Sequence, residues 1–325
     1  MLFYPHALIG AAAKIPIGKP SAVLSFSPVV LPAAGRRRVD LSMRVSAPAT
    51  GTGLPIVLLS HGHGASNWLS SQEGYTPLAD FWAGHGFAVI QPTHLSSKTL
   101  NFPLDADSIR ELFLESRVQD MTTILDHLDT IEEAVPLLKG RLDRTRVAVA
   151  GHSLGGLTAS VLLGAVNTDP RDGVTTRSAE KRIKAGVVLG GTGLAGADLS
   201  DNGKAMVPFY NVDFAGMTTP ALVVWGDEDV SPHLTVRGAD WHADSYKLAP
   251  GPKASFSVKG GLHGFGGISG WDAAETRDGS PERLAAVQRM TWAYLRSQLY
   301  EGETAWEEAC KALKDLPELG SVESK

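Results

Sequence analysis

The sequence predicts an α/β fold in which a mostly parallel central sheet carries helices on both faces and an irregular cover segment. Three observations carry that expectation. Short apolar stretches recur at Val39–Val45, Pro55–Ser60, Phe87–Gln91, Arg146–Ala150, Ala185–Leu189, Ala221–Trp225 and Ser255–Val258, mostly Val/Ile/Leu/Ala runs of the kind buried on both faces. Helical periodicity separates many of them, and alternation of strand and helix is the signature of a doubly covered parallel sheet. The composition suits such a core, with 325 residues, 43% hydrophobic and 20% charged.

In chain order, residues 1–35 are apolar and Pro-rich without a clear period and are expected to form an N-terminal extension packed on or near the core. The opening MLFYPHALIGAAA imitates a cleavage site at its AAA, but it has no positive n-region and Pro5 and His6 interrupt it, so it is not read as a signal peptide. Arg36–Arg38 reads as a solvated strand entrance rather than a binding patch. Residues 36–325 are expected to form a single domain. Ser108 with Glu111 forms a capping-box pattern ahead of a helix over Ile109–Ile131. Ser280-Pro281 starts a helix with Leu284, Val287, Met290 and Tyr294 on one side, and Thr304 with Glu307 repeats the box for a last helix. Residues 191–219 break the rhythm with Gly, Asp-Asn-Gly and Pro, and read as irregular cover over one end of the sheet.

Charge and cysteine content narrow the partners. Thirty Lys+Arg against 35 Asp+Glu give −5, which offers no broad positive field for a nucleic acid. No apolar run approaches the roughly 20 residues of a spanning helix. Cys310 is the single cysteine and can form neither an intrachain disulfide nor a thiolate cluster. A cytoplasmic location is expected, with secretion as the alternative; the oligomeric state has no signature.

The chemistry-bearing motif follows the strand RVAVA. Gly151-His152-Ser153-Leu154-Gly155-Gly156 fits the GxSxG nucleophile elbow, and the apolar helix TASVLLGAV follows at once. A glycine-rich turn whose serine only caps the helix is the alternative, and the immediate succession of strand, elbow and helix favours the nucleophile over it. Serine needs a base oriented by an acid. Beyond Ser153 the histidines are His233, His242 and His263. His263, in GGLHGF directly after the last strand, is the expected base, whereas the other two read as surface or satisfied core residues. The acid is sought in Gly226-Asp227-Glu228-Asp229, where the strand ALVVW ends. The oxyanion needs two N–H donors, one from Leu154 and one from the loop His61-Gly62-His63-Gly64, where His63 is the expected donor. Trp68, His152 and Phe265 are expected to touch substrate. The His61/His63 pair invites a zinc reading, but a third ligand and nearby acid are missing, so no metal and no cofactor are expected. Gly191-Thr192-Gly193-Leu194-Ala195-Gly196 matches GxGxxG with Asp213 downstream, a dinucleotide-binding alternative that would require a regular helix opening at Gly193.

With these residues in place, the chain resembles the α/β-hydrolase superfamily over roughly residues 40–300. The stretches LLSHGHGASNWLSSQEGYTPLADFWAGHGFAVIQPTHL and VAVAGHSLGG are similar to the branch of chlorophyllases, platelet-activating-factor acetylhydrolases and dienelactone-hydrolase-like or polyester-degrading esterases. The resemblance implies Ser153 as nucleophile, His263 as base, and His63 and Leu154 as oxyanion donors. Asp229, in DVSP, matches the acid of the polyester-hydrolase and bacterial esterase members. The acetylhydrolase branch carries its acid after the preceding strand, where this chain has Gly190-Gly191-Thr192, and dienelactone hydrolases proper use cysteine where this chain has Ser153. The implied activity is hydrolysis of a small-molecule or lipid-like carboxylic ester through an acyl-enzyme. Lactone or thioester hydrolysis, a non-catalytic ligand-binding protein and an NAD(P)-dependent oxidoreductase are the alternatives.

Overall fold

The computed structural model describes residues 8–34, 37–100, 113–271 and 273–325. Nine strands form the main sheet in the order β1-β2-β4-β3-β5-β8-β10-β11-β12. They are β1 (Val23–Leu31), β2 (Leu41–Pro48), β3 (Leu54–Ser60), β4 (Ala88–Pro92), β5 (Leu142–His152), β8 (Ile183–Leu189), β10 (Ala221–Gly226), β11 (Lys253–Val258) and β12 (Gly320–Ser324). From β4 to β11 every neighbour pair is parallel. The pairs β1–β2, β2–β4 and β11–β12 are antiparallel. A side sheet of β7 (Thr175–Arg177), β6 (Val166–Thr168) and β9 (Val212–Asp213) stands apart.

Alternation along the strands divides the core in two. Ile56 and Leu58 of β3, Val147 and Val149 of β5, and Val223 of β10 belong to one buried cluster. Their neighbours Val57, Leu59, Ala148, Ala150, Leu222 and Val224 belong to the other. A strand buried on both faces must alternate in this way, because successive side chains point to opposite sides. The first cluster is covered by the helices Leu114–Asp126, Leu128–Ala134 and Leu154–Leu162. Thr76–Gly84, Pro281–Leu299 and Ala305–Lys314 cover the second, together with Ala12 and Ile15 from the N-terminal segment.

Several expectations change in detail. Val23–Leu31, left without an element, forms an edge strand whose register shifts between Phe26 and Val29, around Pro28. Proline is tolerated there because an edge strand need not donate on both sides. Arg37 is no solvated strand entrance: its side chain is 9% exposed, its Nη1 donates to both carboxylate oxygens of buried Asp120 at 2.7 and 2.9 Å, and its Nη2 donates to the Thr93 carbonyl at 3.0 Å. The expected Ser108/Glu111 capping box lies outside the described residues. Its helix is divided at His127, whose ring Nδ1–H donates to the carbonyl of Thr123, the acceptor its own backbone N–H would use in a continuous helix. Ser280 does cap its helix, accepting from the Arg283 N–H. Thr304 does not; its hydroxyl bonds Glu308 instead.

Residues 191–219 hold a single turn at Gly196–Asp198, the helix Asp201–Met206 and β9. They pack on the loop after β10 through Ser200 N to Leu234 O and Val236 N to Asp198 O. No regular helix opens at Gly193, so the dinucleotide alternative loses its structural requirement. The N–H of Leu194 is taken by the carboxylate of Asp244 at 3.0 Å, a negative group where a phosphate would have to lie.

Candidate active site

Parallel strands deliver their C-terminal ends to one edge of the sheet, and there β3, β5, β8, β10 and β11 lead into the loops that carry Gly62, Ser153, Gly190, Asp229 and His263. Ser153 sits at φ 55°, ψ −119°, a backbone region that non-glycine residues rarely occupy. Its N–H donates to Leu189 O at 2.9 Å. The flanking glycines are sterically required. A Cβ on Gly151 would fall 1.9 Å from Gly155 O, and one on Gly155 would fall 2.1 Å from Ser60 O. Leu154 opens the helix Leu154–Leu162, where the first N–H groups have no partner within the helix. The loop after β3 passes close by, since a Cβ on Gly62 would lie 3.4 Å from the Ser153 Cβ. His63 follows on this loop and is exposed.

The three clustered carboxylates separate cleanly. Asp229, 2% exposed, accepts a 2.7 Å hydrogen bond at Oδ2 from His263 Nδ1. Asp227 bonds the Gly260 N–H at 2.6 Å and pairs with Lys259 at 2.9 Å. Glu228 is exposed. With Nδ1 donating to Asp229, the Nε2 of neutral His263 carries the free lone pair. Burial lowers the affinity of His263 for a proton, but the charge and hydrogen bond of Asp229 and the charge of Asp278 outweigh it, leaving the pKa above the ordinary 6.5. Burial likewise pushes the Asp229 carboxyl up, yet the charge and hydrogen bond of His263, with His242 and His152, bring it below its ordinary value.

Gly190, at the end of β8, lies against the same imidazole. A Cβ there would come within 3.1 Å of the His263 Cε1. Both β8 and β10 therefore reach the ring, and in this chain the carboxylate comes from β10.

Three contributors escaped the sequence reading. His242, expected to be a bystander, donates from Nδ1 to Gly191 O at 2.8 Å, while its unbonded Nε2 lies 3.3 Å from Asp229 Oδ2. Burial pushes its pKa down against the pull of Asp229. Asp278 accepts from the N–H groups of Leu262 and Gly266 at 3.0 and 3.1 Å, clamping the loop of His263. Glu275 accepts from the Ser66 N–H and hydroxyl at 3.0 and 2.5 Å, tying the loop after β3 to the segment beyond His263. No local motif signals any of them, because each contact joins distant parts of the chain.

Of the residues expected to touch substrate, Trp68 is 43% exposed, whereas His152 and Phe265 are 1% and 0% exposed. The latter two lie behind the site rather than on it. His152 has both ring nitrogens engaged, with Tyr75 and the His263 carbonyl. The zinc reading of His61 fails on similar grounds: its Nδ1 donates to Gly62 O at 2.6 Å and its Nε2 accepts from the His94 N–H at 3.0 Å. Among the described residues, Asp229, His242 and His263 are the group whose ligand atoms converge, within 4.8 Å of one another, with the Asp229–His263 pair already joined by its hydrogen bond.

The profile of the alpha/beta hydrolase family matches residues 56–316. A platelet-activating factor acetylhydrolase from Cavia porcellus is 27% identical over 173 residues, covering 43% of this chain and 35% of that protein. The match thus spans about a third of the relative's length.

Proposed function

The chain belongs to the alpha/beta hydrolase family, and on that premise we propose that it is a serine hydrolase that cleaves a carboxylic ester through an acyl-enzyme. The observation that carries this reading is the 2.7 Å Nδ1–Oδ2 bond between His263 and buried Asp229, at the same edge of the sheet as a serine held at φ 55°. That bond selects the tautomer whose Nε2 can accept a proton.

In the proposed cycle, Ser153 Oγ attacks the ester carbonyl while His263 Nε2 takes the hydroxyl proton. The oxyanion is held by the N–H groups of His63 and Leu154. Collapse of this intermediate breaks the ester C–O bond, and His263 returns the proton to the departing alkoxide. Water then attacks the acyl-enzyme with His263 as base, releasing the carboxylic acid and restoring the Ser153 hydroxyl. Asp229 stays ionised and stabilises the imidazolium. The relative's name describes an acetylhydrolase, which favours an acyl ester as substrate; the apolar groove lined by Trp68, Phe81, Trp271 and Leu284 is not lined by any residue of the proposed triad. No helix among the described residues is long and apolar enough to cross a membrane, and a small-molecule ester is the partner proposed.

Turnover of p-nitrophenyl esters by the wild type and by Ser153→Ala tests the reading. The variant is expected to fold and to lose on the order of 10⁶-fold in kcat. Equal rates in the two proteins would end it.

A further inference from the structure

We propose that Tyr75 and His152 form a positioning strap that fixes the loop of Gly62 and His63 against the loop of His263, and that the rate of acyl transfer depends on it. The inference rests on the roles given above to Ser153, His63 and His263.

The direction of each bond follows from what its atoms can do. The Gly62 N–H can only donate, so the Tyr75 hydroxyl accepts, at 3.0 Å. The His263 carbonyl can only accept, so His152 carries its hydrogen on Nε2, at 2.8 Å. Burial and the neighbouring His263 drop the His152 pKa to about 3, so the ring is neutral and its Nδ1 is bare. The Tyr75 hydroxyl hydrogen therefore goes to His152 Nδ1 at 2.8 Å, with Leu69 O at 3.3 Å as the longer competing acceptor. The chain of bonds runs from Gly62 N–H to Tyr75 OH to His152 Nδ1, and from His152 Nε2–H to His263 O.

Backbone contacts hold Tyr75 in place for this. Its N–H donates to Ser269 O at 2.9 Å, in the segment beyond His263, and its carbonyl accepts from Leu78 and Ala79 to start the helix Thr76–Gly84. The residue adopts φ 61°, a strained choice for a tyrosine that the surroundings must enforce. Gly74 permits the approach, since a Cβ there would fall 1.5 Å from Trp68 O. Tyr75 is 0% exposed and His152 1%, so the strap acts through Gly62 and His263 without touching substrate. It joins the residue preceding one oxyanion donor to the base itself. A shift of either partner misplaces groups that must converge in the transition state.

The test pairs ester kinetics with ¹⁵N NMR of the histidines in the wild type, Tyr75→Phe, His152→Leu and His152→Gln, each checked for folding by circular dichroism. In the wild type, His152 is expected to carry its hydrogen on Nε2. Tyr75→Phe is expected to lose about 10- to 100-fold in kcat with KM little changed, to keep the acid limb of the pH profile, and to shift the His152 Nδ1 resonance. His152→Gln retains a donor and an acceptor, so it is expected to recover part of what His152→Leu loses, and it carries the test should Tyr75→Phe not fold. A folded Tyr75→Phe with wild-type kcat, or a loss confined to KM, overturns the strap. So does a wild-type His152 with its hydrogen on Nδ1, a readout that holds even if no ester is turned over and the proposed function itself fails.

Discussion

Asp229 holds one imidazole by a 2.7 Å bond while a second stands 3.3 Å from the same oxygen. The carboxylate that fixes the tautomer of the proposed base is therefore distinguished from Asp227, two positions away, by what each touches. Asp229→Asn is expected to cost about 10⁴-fold in kcat, because an amide no longer selects the tautomer with a free Nε2. Asp227→Asn removes a loop bond to Gly260 and a pair with Lys259, and is expected to cost about 1 kcal/mol of stability with little change in rate. Kinetics and thermal melts on the two folded variants check this, and a reversal would move the acid to Asp227. The pH profile adds a second expectation. Since the pKa of His263 lies above 6.5, kcat/KM is expected to fall, as pH drops, at a higher pH than an ordinary imidazole would set. An acid limb at or below 6.5 in the free enzyme would contradict the coupling to Asp229 and Asp278. Ser153 and His263 were legible as residues because each sits in a motif at a strand end. His242 and Asp278 were not, because their roles exist only where the loops after different strands meet.

At the scale of elements, legibility follows burial. The strands from β3 to β11 in the sheet interior read as apolar runs, whereas β1 and β12 did not. Their burial patterns are mostly intermediate or exposed, and Ser25, Ser27 and Pro28 in one and Gly320-Ser321 in the other dilute any period. The elbow was readable for the opposite reason: its geometry demands glycine at Gly151 and Gly155, so the sequence has no freedom there. Arg37 is the instructive error. A basic run ahead of a strand reads as solvated, yet one arginine turns inward onto Asp120, which also accepts from His94 Nδ1 at 2.8 Å. His94 in turn contacts Ser60, beside the buried Arg117 that holds the His61 carbonyl. Arg37→Leu would leave Asp120 buried without its arginine partner and is expected to cost about 3–5 kcal/mol, measurable by urea denaturation. A loss under about 1 kcal/mol would mean that the pair contributes as little as an exposed one.

For the whole molecule, the parallel sheet is what gathers residues 62, 153, 190, 229 and 263 at one edge, and its two covered faces supply the rigidity. The cover segment at 191–219 was legible only as irregular sequence, because its shape depends on packing against the loop after β10. The groove at Trp68 and Trp271 had no sequence signal, because it forms where Phe81 and Leu284 of two separate helices meet those two residues. The account as a whole stands on Ser153 being an activated nucleophile, and the direct measurement is covalent labelling with a fluorophosphonate followed by peptide mapping. The account predicts a single adduct on Ser153 in the wild type, with labelling abolished by Ser153→Ala and greatly slowed by His263→Ala. An adduct on another residue, or ester turnover that persists in an unlabelled Ser153→Ala protein, would contradict it.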